Sequence, residues 1–71
     1  PAEEYLNVRW NRAVSGTLRM TNIQGQLIME EQLEERTWHA VDVSNLKKGV
    51  YILSVDYADG TSATQQVILG Q

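Results

Sequence analysis

The sequence predicts an all-β fold, an antiparallel sandwich of short strands with a small barrel as the alternative, and three observations carry that prediction. Apolar and polar residues alternate with the period of half-buried strands through most of the chain. Turn-forming residues interrupt the alternation at roughly 8 to 12 residue intervals. No segment longer than one turn has helical spacing. With 71 residues the chain suffices for one domain, residues 1–71, with a small core that buries only about 60% of the unfolded surface.

The elements follow in order. Pro1 to Glu4 are polar and extended. Leu6, Val8 and Trp10 then share one face of a first strand and Tyr5, Asn7 and Arg9 the other. Asn11 to Ser15 read as a connection. Gly16 to Thr21 resume the alternation, with Leu18 and Met20 inward and Thr17, Arg19 and Thr21 toward water. Asn22-Ile23-Gln24-Gly25 has the residues of a type I turn followed by a left-handed glycine, which predicts a hairpin. The return strand is Gln26 to Leu33, apolar at Leu27, Met29 and Leu33, and Glu34-Glu35-Arg36 is a polar loop.

Trp38 to Val43 lead into a corner. Ser44 and Asn45 offer side-chain oxygens that stop the ladder, Leu46 is pinned inward by one tight turn, and Gly49 supplies a permissive backbone. Val50, Tyr51, Ile52, Leu53 and Val55 form the most β-prone run, apolar on both faces at its start, as expected of a central strand. Ala58-Asp59-Gly60 is a second turn like the first, Ser62 to Leu69 is the last strand, and Gly70-Gln71 is a tail. Six strands result.

Composition excludes several functions. The net charge of -3 and six scattered Lys and Arg residues argue against nucleic acid. The absence of cysteine removes disulfides, thiolate metal sites and thiol nucleophiles. Apolar runs are far shorter than the roughly 18 to 20 residues that span a bilayer. His39 is the single histidine and has no acid or nucleophile beside it, so an edge histidine is expected, and a metal site would need carboxylates alone. Asp56 and Asp59 flank a turn that explains Asp59 without calcium.

Glu30, Glu31, Glu34 and Glu35 form an acidic run expected to be a solvated edge that discourages strand pairing. Ser15, Ser44, Ser54 and Ser62 lack a nucleophile elbow or a base. Neither an enzyme nor a cofactor is expected. Lys47 and Lys48, with Arg9 and Arg12, are the basic groups, read as solvated, with an anionic-glycan contact as the sharper alternative.

Pro1 to Val8, Gly16-Thr17-Leu18, Asn22 to Gln26, Val41 to Leu46 and Gly49 to Val55, taken in that order and spacing over the whole chain, resemble the type IX (Por) secretion system C-terminal sorting domain of Bacteroidota. That resemblance implies an immunoglobulin-like antiparallel β-sandwich of six to seven strands. Its function would be a C-terminal sorting signal that takes cargo through the periplasm and the outer-membrane translocon to the surface. A cell-surface sortase then usually removes the signal and joins the cargo to anionic lipopolysaccharide.

Members commonly open with Tyr-Pro-Asn-Pro, so Pro1 reads as the last residue of that motif. Leu6, Gly25, Asp42, Ser44, Leu46, Gly49 and Tyr51 are the other signature positions. Many members end on a basic residue, whereas this chain ends Leu69-Gly70-Gln71. Lys47, Lys48 and Gly49, with Gln66, Val67, Ile68 and Leu69 of the terminal strand, are the expected recognition surface, and the same edge predicts weak homodimerisation. Two alternatives stand beside this reading. One is an immunoglobulin-like adhesion or glycan-binding module using an exposed pair of Trp10 and Trp38. The other is an uncleaved sorting domain of a secretion-machinery component.

Overall fold

In the computed structural model, which describes residues 4–70, the chain forms four antiparallel strands in one sheet of order β2-β1-β3-β4. They are β1 (Tyr5–Asn22), β2 (Leu27–Asp42), β3 (Gly49–Tyr57) and β4 (Ser62–Leu69). This corrects the expected six-to-seven-strand immunoglobulin-like sandwich. Both expected breaks, at Asn11 to Ser15 and at Glu34 to Arg36, lie inside long strands.

The reason is a β-bulge. The β1–β2 ladder runs from Tyr5↔Asp42 to Arg9↔Trp38, slips to Val14↔Arg36, slips again to Gly16↔Leu33, and continues to Thr21↔Leu27. A bulge keeps two strands paired while it bends them and raises their twist. Glu35 takes a left-handed backbone with φ of 50°, and its backbone N–H donates to Ser15 Oγ at 3.0 Å, tying the two strands at the bend.

The bend folds the long hairpin back over the sheet. His39 Nε2 lies 3.0 Å from Glu31 Oε1, although eight residues of straight strand would separate them by about 26 Å. Val8 likewise lines one cleft together with Leu53 and Val55, while the β1–β3 ladder begins only at Gly16↔Tyr57. The resulting body measures 35 × 26 × 16 Å.

The core lies between the sheet and its folded-back hairpin. Leu18, Met20 and Val41 are fully buried, with Val14, Leu33, Val43, Tyr51, Leu53 and Val55 around them and Leu6, Val8 and Trp10 packed against the cluster. Leu18 and Met20 face inward as predicted because they pair with Val55 and Leu53 across β1–β3, and paired residues share a face. Leu27, one of the apolar residues of the return strand, is exposed. A register shift between Met20 and Thr21 puts it opposite Thr21 on the outer face.

The two predicted turns form alike. Gly25 N–H donates to Asn22 O and Gly60 N–H to Tyr57 O, both at 3.0 Å. Asn22 Oδ1 accepts from Gln24 N–H at 2.9 Å, the bond two residues on that its side chain predicts. Gly16 has a different task. A Cβ there would collide with the Asp56 carbonyl oxygen, so only glycine lets β3 approach where β1 turns away from it.

Candidate functional site

The corner between β2 and β3 is built by its own side chains. Asp42 Oδ1 accepts from Ser44 N–H at 3.0 Å, which ends the ladder. Contact with Ser44, its hydroxyl first and its N–H second, holds the Asp42 carboxyl below the ordinary value of 3.8. Ser44 Oγ accepts from Glu4 N–H at 2.8 Å, so Glu4 is fastened to the corner. Leu46 N–H closes one turn onto Val43 O at 3.1 Å, and the Leu46 side chain packs, partly buried, against the core. Tyr51 OH then donates to Lys47 O at 2.7 Å.

Five signature positions, Asp42, Ser44, Leu46, Gly49 and Tyr51, thus meet in one structural unit, while Leu6 packs on the core and Gly25 sits at the hairpin tip. Pro1 lies outside the described residues.

Strand register unites this corner with the terminal strand. Gly49 pairs with Leu69, Val50 with Ile68, Tyr51 with Val67 and Ile52 with Gln66. Lys47 and Lys48 are exposed there, and Lys48 carbons lie against the Cα of Gly70. The seven expected recognition residues therefore lie together at one corner of the sheet, but they do not all look outward. Val67 and Leu69 are partly buried against the core, whereas Gln66 and Ile68 are exposed.

Residues that the sequence reading did not single out complete that surface. Asn22 pairs with Tyr51, so the β1–β2 hairpin tip lies at the same end of the sheet as Gly49 and Leu69. Ile23 at the tip is 73% exposed, Leu27 56% and Ile68 53%. Val50 and Ile52 share the outer face with Ile68 and Leu27 by register. One end of the outer face is accordingly apolar and bordered by two lysines. The available signal was Ile23, an apolar residue in a turn that otherwise takes polar ones.

The other half of the outer face is polar. Arg19 bridges Glu30 on β2, at 2.7 Å, and Asp56 on β3. These partners, Glu30 first, raise its pKa above the ordinary guanidinium value. The acidic run is more engaged than a solvated edge: Glu30 meets Arg19, Glu31 meets His39, and Glu35 accepts from Ser15 Oγ at 3.3 Å. Among the described residues, no group of three or more His, Asp or Glu side chains could hold a metal ion. Trp10 and Trp38 do not form an exposed pair. Trp10 turns inward and donates from Nε1 to Tyr57 OH at 2.9 Å, while Trp38 is 48% exposed beneath the Arg36 guanidinium.

The geometry defines a class: a small β unit that offers a strand edge, an apolar end and a lysine corner. The family follows from comparison, because residues 1–70 match the secretion system C-terminal sorting domain, and the chain belongs to that family. The whole chain also aligns at 30% identity with beta-agarase D of Zobellia galactanivorans, of which it spans 14% of the length. No solved structure matches the chain.

Proposed function

We propose that this chain is a type IX secretion sorting signal that carries its cargo across the outer membrane and acts without catalysis. The observation that carries the reading is the family match over residues 1–70. The surface read by the translocon is the lysine-bordered apolar end, with Lys47, Lys48, Gln66 and Ile68 from the expected set joined by Ile23 and Leu27. A translocon component can recognise such a surface by shape, exposed backbone and a few apolar anchors. The alignment with only 14% of beta-agarase D supports a chain that is likewise one part of a larger polypeptide. In this reading a surface sortase then removes the domain and transfers the cargo to anionic lipopolysaccharide.

The test is export. A periplasmic reporter fused to residues 1–71 in a host with a type IX system should reach the surface or the medium, and a reporter retained in the periplasm refutes the reading. The surface is tested with Ile68→Asp and with Lys47→Glu/Lys48→Glu, whose side chains are exposed. Both should keep the fold and lose export. Normal export by both would move recognition elsewhere.

A further inference from the structure

The two edges of the sheet are treated differently. The β2 edge carries Glu30, Glu31, Glu34, Glu35 and Arg36 and is broken by bulges, the devices that keep an edge from pairing with another chain. The β4 edge has none of them. From Ser62 to Leu69 it holds no charged residue and no proline, and it pairs with β3 in unbroken register from Ser62 to Leu69. Its residues from Ser62 to Gln66, and Ile68, are exposed.

Charge is instead placed at the two ends, with opposite sign. At the C-terminal end stand Lys47 and Lys48, with Lys48 against Gly70 and neither lysine ion-paired among the described residues. At the N-terminal end stands Asp59, folded back to accept from the Thr61 hydroxyl at 2.6 Å and the Thr61 N–H at 2.9 Å. Arg12 exerts a weaker attraction on Asp59 from its place over the Tyr57 ring.

The geometry points to a second copy of this chain as the occupant of the β4 edge, joined by two-fold antiparallel pairing of Ser62 to Ile68 with its counterpart about an axis at Gln65. In that register Gln65 faces the partner's Gln65, Thr64 the partner's Gln66, Ala63 the partner's Val67 and Ser62 the partner's Ile68, so inward residues meet inward ones and outward residues outward ones. The same register sets Gly70 opposite the partner's Gly60. It therefore brings Lys48 within a side chain's reach of the partner's Asp59, and two-fold symmetry repeats the match at the other end. The eight strands of the pair form one continuous sheet. This pairing is independent of the sorting reading, and it covers the outward edge of Gln66 and Ile68, so it competes with any partner that reads them.

The experiment is sedimentation of the 71-residue chain over a range of concentrations, with each variant's melting curve confirming the fold. The chain should show a monomer–dimer equilibrium, with amides of β4 gaining protection from hydrogen exchange as concentration rises. Thr64→Lys/Gln66→Lys, at exposed positions, should abolish association. Lys48→Glu and Asp59→Lys should each weaken self-association about tenfold, since each replaces two attractions by two repulsions. An equimolar mixture of those two variants should restore it, because both ends of the mixed pair are again opposite in sign. A chain that stays monomeric at millimolar concentration overturns the proposal. So does a dimer that survives the double lysine variant, or a mixture that associates no better than its components.

Discussion

Replacing Gly16 by alanine tests whether the bend of β1 depends on close approach to β3. Gly16 has φ of 153°, and an added Cβ would strike the Asp56 carbonyl oxygen, with Tyr57 Cα at 2.9 Å and Asp56 C at 3.0 Å. All three atoms are backbone, so relief requires β3 to move away from β1 at the first rung of their ladder. Backbone strain for a side chain in such a conformation costs about 1 to 3 kcal/mol, and overpacking against fixed atoms about 1 to 3 kcal/mol more. The sum, roughly 2 to 6 kcal/mol, is comparable with the whole stability of a 71-residue chain, roughly 4 to 10 kcal/mol at about 0.05 to 0.15 kcal/mol per residue.

Gly25 provides the control. It has φ of 86° with nothing within 4 Å of an added Cβ, so Gly25→Ala suffers only the left-handed cost of about 1 to 2 kcal/mol. Urea unfolding of a chain this size has a slope of about 1 kcal/mol per molar. The midpoint should therefore drop by about 1 to 2 M for Gly25→Ala, and by several molar or to complete unfolding for Gly16→Ala. Equal losses at the two positions would show that the contact with Asp56 does not constrain the bend.

Three further outcomes follow from single contacts. Leu46 is partly buried rather than sealed, so Leu46→Ala should cost about 1 to 2 kcal/mol, below the usual 2 to 5 for buried sites, and export should fall only as far as folding does; a fully folded, unexported variant would make the corner itself a contact site. Trp10→Phe and Tyr57→Phe each break the bond from Trp10 Nε1 to Tyr57 OH, and each should cost about 1 kcal/mol, with the double variant costing no more than either alone in a double-mutant cycle. Asp42 and Asp59 both have carboxyl groups lowered below 3.8, by Ser44 and by Thr61 respectively. A folded-state value below the unfolded one gives stability that is complete above the unfolded value and lost as pH falls through the folded one, so the melting temperature should fall in acid below about pH 4, and Asp42→Asn/Asp59→Asn should flatten that fall.

The parts of the fold legible in the sequence are those set by near neighbours. Alternation placed Leu6, Val8 and Trp10 on one face and Leu18 and Met20 inward, and the Asn22-to-Gly25 signal identified its turn, because strand pleat and turn geometry depend on residues two to four positions apart. The corner was legible for the same reason: Asp42 with Ser44 and Tyr51 with Lys47 are short-range contacts. The bulges were not. A polar run such as Asn11 to Ser15 reads equally as a loop or as an irregular strand, and what decides is the tie between Ser15 and Glu35, twenty residues apart.

That distinction bears on function. Had the polar runs been loops, the hairpin halves could have been separate strands free to take other places. As bulges they keep β1 and β2 continuous, so the tip at Ile23 is carried to the end of the sheet set by Asn22↔Tyr51. The ladder from Gly49↔Leu69 to Asp56↔Ser62 brings Lys48 and Ile68 to that same end. The lysine-bordered apolar surface is thus a product of two registers, each fixed by inward residues such as Leu18, Met20, Leu53 and Val55, since a slip of one residue would turn those side chains to solvent. The core therefore determines which exposed residues stand together, and a substitution that shifted the β3–β4 register by one residue should separate Ile68 from Val50 and impair recognition even if Lys47, Lys48 and Ile68 themselves were untouched.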